Sequence, residues 1–512
     1  MRSFLFRSTL AVSALTLPLT ATAQQAGAPT NILPPRIQPT PIPPSQVAPA
    51  APTATGAQNT PVAPVAATVP LPQLSPDQAR QLAALIADGR IAHGLRHDAA
   101  AAAVTASDND SLVRAALDYA RAVHSGRLAE ADFEEDWGLR PAAYDPLPAF
   151  ADAVAKNRLD RWARSLPPPY SGYDGLKLGL ATYRAIEAAG GWAKLAAGPD
   201  LVPGAKGPRV RALRARLAVE DKGVERLGDS FDGELKAAVI RAQNRYGLRP
   251  TGAVAAQTLA ALNVSAADRV AQIMANMERW RWIPRELDRN RIQVNIAAAL
   301  VTVFEGDQPI MSMRGVTGRP GDETPMLQSA IHSVVINPPW NVPSGIAQRE
   351  LWPKGAGYLK ANGFRIIGEG PNRRLQQQAG PQSALGRFKF DFDNKYAVYL
   401  HDTPVQAKFA SYDRLASHGC VRLEKPADLA ELLLRGDPNW SEPAIQAAVD
   451  TGKTQRVQLP QQVTVYLLYW TAFASGSGAM NFRADPYSWD GELAAKIEKR
   501  SQIQAAAPNI AR

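Results

Sequence analysis

Apolar positions along the chain follow two periods, and the change falls near residue 290. Before it, spacing of three and four dominates, which predicts helices. "SPDQARQLAALIADGR" opens with Ser75 as an N-cap and Pro76 at the first helical position, and stops near Gly89. Further helices are predicted around "SLVRAALDYARAVHSG" and "GLKLGLATYRAIEAAGG". Val210, Leu213 and Leu217 then share one helix face, and Leu235, Ala238, Val239 and Ala242 share another that stops at Gly247. "LRPTGAVAAQTLAALN" adds a glycine turn and a third short helix, and "NMERWRWIPREL" reads as one more, carrying Trp280 and Trp282.

After residue 290 the period becomes two. Ile292, Val294 and Ile296 alternate strictly with polar residues, which predicts a half-buried strand. "AIHSVVINPPW", "KYAVYLHD" and "QVTVYLLYWTAF" continue the pattern, with His332 an ordinary strand position. Between Trp340 and Phe388 the alternation lapses into a stretch rich in Gly, Pro and Asn. An insertion of that length in a compact domain is more often a lid or binding loop than an accident. The expected organisation is a helical scaffold over 76–198, a three-helix unit over 199–265 and a linking helix over 266–289. A β-rich domain over 290–475, with its insertion at about 340–388, and a segment over 476–512 complete it.

Composition adds a compartment. Arg2 and Arg7, the apolar run Leu10–Leu19 and the small-residue site Ala21-Thr22-Ala23 have the layout of a signal peptide over 1–23, so export to the periplasm is expected. No cysteine lies near that site, so no lipid anchor is expected, and no later apolar run is long enough to span a membrane. Residues 24–75 are dominated by Pro, Ala, Thr and Gln and read as an extended linker. The net charge of +10 over 512 residues suits a carboxylate-rich partner. No dense Lys/Arg run with interleaved aromatics is present, so nucleic acid is not the expected partner.

Export makes the lone cysteine, Cys420, informative, because thiols in an oxidising compartment usually occur in pairs. An unpaired one points to an intermolecular bridge, a reactive thiol or a buried bystander. The chain has six histidines. His93 and His97 have a spacing that can hold a metal on a helix, but Gly94 lies between them and no Glu follows in an HExxH pattern. His401 lies nineteen residues before Cys420, and His418 lies two before it. An imidazole beside a thiol can lower its pKa toward neutrality and make a nucleophile. Gly419 allows close backbone approach beside that thiol.

"HDTP" followed by "SHGCVRL" closely resembles the catalytic signature of the L,D-transpeptidases with a YkuD-type domain. "NMERWRW", "VINPPWNVP", "GPQSALGRFKFDF", "YAVYLHDTP" and "VYLLYWTAF" resemble the YcbB-like branch in particular, and residues 199–265 resemble a type 1 peptidoglycan-binding domain. The resemblance implies a multidomain α+β protein: a mainly β catalytic domain with a capping insertion, a helical scaffold and a small three-helix peptidoglycan-binding domain. It implies Cys420 as nucleophile, His401 as general base and the Asp402 carbonyl as the group that orients the imidazole. Gly419 and Cys420 amides would form the oxyanion hole, Ser417 and His418 would shape the pocket, and Arg422 would brace the site or face a substrate carboxylate. His418 stands where that branch often carries Ser, which argues against it as the obligatory base. Trp340 and Asn337 are expected to be framework residues.

The implied reaction is acyl transfer through a cysteine thioester: a tetrapeptide stem donates, D-Ala leaves, and a 3→3 meso-diaminopimelate cross-link forms in peptidoglycan. Carbapenems would acylate the same thiol. No cofactor or metal is implied, and a monomer is expected. An L,D-carboxypeptidase or exchange activity on the same site, and an inactive cell-wall scaffold, are the alternatives.

Overall fold

The computed structural model describes residues 70–95 and 108–506. The expected leader over 1–23, most of the expected linker over 24–75 and His97 lie outside the described residues. Helices α1 (Pro76–Ala92), α2 (Asn109–His124), α3 (Leu147–Ala155) and α4 (Leu159–Ser165) gather around Leu82, Ile86, Val113, Ala120, Phe150 and Trp162. Ser75 caps α1 in a reciprocal capping box with Gln78. His93, at the end of α1, is buried, with Nδ1 at 3.0 Å from the Tyr173 hydroxyl, and burial holds its imidazole at about 3.

Helices α5 (Ser171–Ala188), α6 (Pro208–Glu220), α7 (Gly233–Arg245), α8 (Ala256–Asn263) and α9 (Ala266–Trp280) join the larger core. The three-helix unit, α6 to α8, is fastened to α5 by a buried polar knot. Glu220 accepts from Arg216 at 2.7 Å and from the hydroxyl groups of Tyr183 and Tyr246. The expected helix through "NMERWRWIPREL" ends at Trp280, where the chain turns and buries Trp282.

Helix α9 is buried on every side, so its polar positions all need partners. Glu278 accepts from the Arg127 and Leu128 amides (2.5 and 3.1 Å) and from Arg281 (2.7 Å). Asn276 donates to Thr471 Oγ1 at 2.7 Å, and Arg279 meets Asp490 at 2.5 Å. Trp280 stacks on Trp470 with ring centroids 4.7 Å apart.

The β-rich domain holds β1 (Asn290–Asn295), β2 (Leu300–Glu305), β3 (Gln308–Gly318), β4 (Leu327–Ile336), β8 (Phe388–Phe392), β9 (Leu400–His401), β10 (Leu415–Ser417), β11 (Val421–Leu423) and β12 (Gln455–Leu468). β5 (Trp340–Asn341), β6 (Phe364–Ile367) and β7 (Arg374–Gln377) form a separate sheet in the insertion. The main sheet runs β10-β3-β11-β9-β8-β4-β12-β1-β2, and β2 also pairs with β3. The ladder from β3 round to β2 therefore closes on itself, and β10 is added outside that ring against β3. Around it stand α10 (Ser344–Ile346), α11 (Gly355–Ala361), α12 (Pro426–Leu434), α13 (Glu442–Asp450), the hairpin β13 (Ala472–Ala474) and β14 (Met480–Phe482), and α14 (Trp489–Ala506). The insertion has its own small core of Val342, Ile346, Leu351, Leu359 and Leu375.

Two strand expectations change. β1 alternates in sequence, yet Arg291, Gln293 and Asn295 are buried too: Arg291 donates to the Asp288 and Gly306 carbonyls, and Asn295 exchanges hydrogen bonds with the Trp470 backbone. The predicted strand through "KYAVYL" shrinks to Leu400–His401. Asn394 accepts from the Tyr396 and Val398 amides, and Ala397 turns at φ 55°, so the side chain replaces the ladder there. No helix among the described residues is long and apolar enough to cross a membrane.

Glu278→Gln should lower stability by about 3–5 kcal/mol, since it leaves the buried Arg281 charge without its carboxylate. A urea unfolding midpoint equal to wild type would exclude that role for Glu278.

Candidate active site

The site is built on two short parallel strands, β9 and β11. Val421 pairs with Leu400, and Arg422 pairs with His401. The Val421 amide donates to the Tyr399 carbonyl at 3.1 Å, which carries the pairing one residue back and sets Cys420 beside Tyr399. Side chains alternate along strands, so Cys420, Arg422, Tyr399 and His401 share one face while Val421 and Leu400 point into the core. Sequence distance thus becomes adjacency: the nineteen-residue excursion through Thr403, Phe409 and Tyr412 returns the thiol to the histidine's own sheet.

His401 is only 4% exposed, and its Nδ1 lies 2.5 Å from the Asp402 carbonyl. A carbonyl only accepts, so Nδ1 carries the proton and Nε2 is left as an acceptor. Burial, and next the Arg422 charge, hold the imidazole down at about 3, so it is neutral at physiological pH. The Asp402 carboxylate is turned away and accepts from the Arg387 and Thr403 amides (2.7 and 2.6 Å).

Cys420 is half-buried, and burial pushes its thiol above the ordinary value. Hydrogen bonds from the Tyr399 backbone and hydroxyl, and the charges of Lys389 and Arg422, oppose that shift without reversing it. The sequence expectation was that an imidazole neighbour would lower the thiol. In this site desolvation dominates both groups, and the resting pair is a neutral thiol and a neutral imidazole. Arg422 Nε is buried with no hydrogen-bond partner among the described residues.

The loop before the thiol is held from three sides. Gly419 sits at φ +103°, and a side chain there would press against the Glu323 carbonyl, so the position requires glycine. Its amide donates to Ser417 Oγ at 3.2 Å, and Ser417 Oγ donates to the Cys420 carbonyl at 2.5 Å. Thr324 Oγ1 donates to the Gly419 carbonyl at 2.7 Å and accepts from the Gly318 amide at 2.8 Å. Tyr487, from the C-terminal segment, donates to the Gly318 carbonyl at 2.6 Å.

His418 faces the insertion: its Nε2 lies 2.7 Å from Glu350 Oε1. Arg319 also reaches Glu350 (3.1 Å), and Arg349 reaches Asp322 (2.9 Å). The His418 bond, first, holds the Glu350 carboxyl below its ordinary value. A five-member network of ion pairs and hydrogen bonds therefore fastens the insertion to the thiol loop. Trp340, at the insertion's edge, donates its indole N–H to the Tyr399 hydroxyl, and Lys389 Nζ lies 4.2 Å from the centre of the Tyr399 ring. Asn337 donates to the Ala448 and Val449 carbonyls (3.2 and 3.0 Å), a framework role.

Tyr399, Lys389, Thr324, Glu350 and Tyr487 were not singled out by sequence reasoning. Tyr399 alone had a usable signal, standing two residues before His401 on an alternating run. The others come from distant segments and carry no local pattern. Among the described residues no group of three or more His, Cys, Asp and Glu could hold a metal ion.

Comparison with known proteins bears on these segments. Residues 289–440 match the family model of the YkuD L,D-transpeptidase catalytic domain, 62–180 that of a scaffold domain and 206–262 that of a peptidoglycan binding domain. A Haemophilus influenzae protein provisionally named an L,D-transpeptidase is 30% identical over 242 residues, covering 43% of this chain and 48% of that protein. The chain thus spans about half the length of the curated relative it matches. Two solved L,D-transpeptidases are also similar. The one from Xylanimonas cellulosilytica is 18% identical over 53% of this chain and 98% of its own, with a TM-score of 0.17. The one from Stackebrandtia nassauensis is 16% identical over 53% and 97%, with a TM-score of 0.22.

Alkylation of Cys420 by iodoacetamide should rise with pH through a midpoint above that of an ordinary thiol, because only the thiolate reacts and burial raises its pKa. A midpoint near or below neutrality would show a preformed thiolate instead.

Proposed function

With a catalytic domain that belongs to the YkuD L,D-transpeptidase family as the premise, we propose that this protein forms 3→3 cross-links in peptidoglycan through a thioester on Cys420. The observation that carries the reading is the shared sheet face of Cys420, His401, Arg422 and Tyr399.

As Cys420 Sγ attacks the carbonyl between meso-diaminopimelate and the terminal D-Ala, its proton passes to His401 Nε2. A neutral thiol and a neutral imidazole make this a coupled step: the base acts as the carbon–sulfur bond forms. The developing oxyanion takes the Cys420 amide and the Gly419 amide, which exchanges its long bond to Ser417 for the stronger one. The imidazolium returns the proton to the leaving D-Ala nitrogen. An amine of a neighbouring stem, deprotonated by the same imidazole, then attacks the thioester and restores the thiol. The Asp402 carbonyl holds the tautomer that both steps need. Arg422 would brace the site or face a substrate carboxylate, and its charge would favour negative charge on sulfur.

The leader-like first 23 residues and the linker after them support a periplasmic protein that reaches its substrate on a tether. Residues 199–265 support a module that holds the polymer, 76–198 and 266–289 a scaffold, and 340–388 a cap over the site. The protein acts as a monomer.

Purified protein incubated with disaccharide-tetrapeptide should yield a cross-linked dimer and free D-Ala by mass spectrometry. A tripeptide monomer would make it a carboxypeptidase, and an exchanged tetrapeptide a D-amino-acid exchanger. Cys420→Ala should abolish both product and carbapenem adduct, and retention of either sinks the nucleophile assignment. His401→Ala should slow acylation by about 10²–10⁴-fold.

A further inference from the structure

The three-helix unit and the thiol loop meet along a seam that the catalytic chemistry does not use. The turn after α7 places the Arg249 guanidinium over the ring of Tyr412, 5.5 Å from its centre. Tyr412 is 46% exposed, although aromatic rings are usually covered. It lies in the excursion between His401 and Cys420, eight residues before the thiol. Arg249 is exposed; its carbonyl accepts from the Thr251 amide at 2.9 Å, and its guanidinium makes no hydrogen bond among the described residues.

The surroundings are basic. Arg414 pins the loop by donating to the Ser411, Ala298 and Gly315 carbonyls (2.9, 3.0 and 3.2 Å). Arg483 fills the seam beneath, donating to the Arg245 carbonyl of α7 at 3.1 Å and resting on Phe473. Arg314 is matched by Glu424 at 2.8 Å. Asp413 is the other carboxylate that faces this group. Four guanidinium groups thus stand against two carboxylates, with an open ring between the two parts. Arg414 and Arg483 spend their donors on backbone carbonyls, Arg314 spends its donors on Glu424, and together they fix the seam's shape. Arg249 has its donors free.

We propose that Arg249 and Tyr412 form an exterior contact site for a carboxylate-bearing stem peptide of a peptidoglycan strand, which holds the polymer across the seam and leads it to the thiol loop. Arg249 would take the carboxylate in a two-pronged hydrogen bond, and the exposed ring would receive an apolar face of the sugar or stem. This rests on peptidoglycan being the substrate, as proposed above.

The test uses the full chain in a Cys420→Ala background, so that binding is read without turnover, by co-sedimentation with isolated sacculi. Arg249→Glu and Tyr412→Ala should each weaken binding about tenfold, Arg249→Lys should restore most of it, and added salt should weaken wild type more than Arg249→Glu. With Cys420 intact, Arg249→Glu should lower the ratio of activity on sacculi to activity on soluble disaccharide-tetrapeptide. Unchanged sedimentation, or equal loss of activity on both substrates, would overturn the proposal. Wild-type protein inactive on both substrates would overturn the transpeptidase reading instead, and sedimentation would still decide the seam.

Discussion

Everything that positions the site depends on the burial of helix α9. A helix enclosed on all sides is normally apolar all round, but this one carries Arg269, Gln272, Asn276, Glu278 and Arg279 into the interior. Each is a cost unless a specific partner meets it, and the partners come from different parts of the chain. Glu278 calls in the scaffold at Arg127 and Leu128, Asn276 the strand exit at Thr471, and Arg279 the C-terminal helix at Asp490. Hydrophobic burial alone would hold these parts together in many arrangements. The directional bonds select one, and so fix where the β-rich domain lies relative to the helical scaffold.

That arrangement reaches the thiol through the tail. Asp490 is bound by Arg279 and Thr471, and three residues earlier Tyr487 donates to Gly318 and accepts from the Thr324 amide. Thr324 in turn holds the Gly419 carbonyl. A chain of single hydrogen bonds therefore runs from the scaffold spine to the residue before Cys420. The insertion reaches the same loop from the other side, through Glu350 and His418. One side is buried and short-ranged, while the other is exposed and made of charges, which water and salt weaken. The loop is thus anchored on its scaffold side and more easily released on its insertion side.

How much of this was legible in sequence follows from what kind of interaction each part uses. The helices and the strand that opens at residue 290 came from apolar spacing, because spacing reports which face is buried. Gln293 and Asn295 misled, since alternation cannot say that the polar face is buried too. The "KYAVYL" stretch misled because Asn394 satisfies the backbone with its side chain, a local bond that periodicity ignores. His401 and Cys420 stood out as rare residues in a recognisable order. Thr324, Glu350 and Tyr487 did not, because what matters about them is a partner roughly seventy to more than one hundred and sixty residues away.

The electrostatics of the thiol also bear on how the proposed export of the protein is compatible with an unpaired cysteine. Oxidants and stray disulfides react with thiolate, so a cysteine tuned to be ionised at rest would be the more easily lost. Burial raises the Cys420 pKa and lowers that of His401, and the two shifts together keep the pair neutral. Neutrality slows attack on anything that arrives without orientation. In the proposed reaction, a substrate whose carbonyl is seated against the Cys420 amide would change the balance: proton transfer and bond formation would proceed together, and the developing charge would land on an oxygen with donors waiting. Arg422 and Lys389 contribute more to that charged state than to the resting one, since a cation beside a neutral thiol stabilises little. The same desolvation that makes the resting thiol quiet therefore makes the electrostatic help strongest at the moment of transfer.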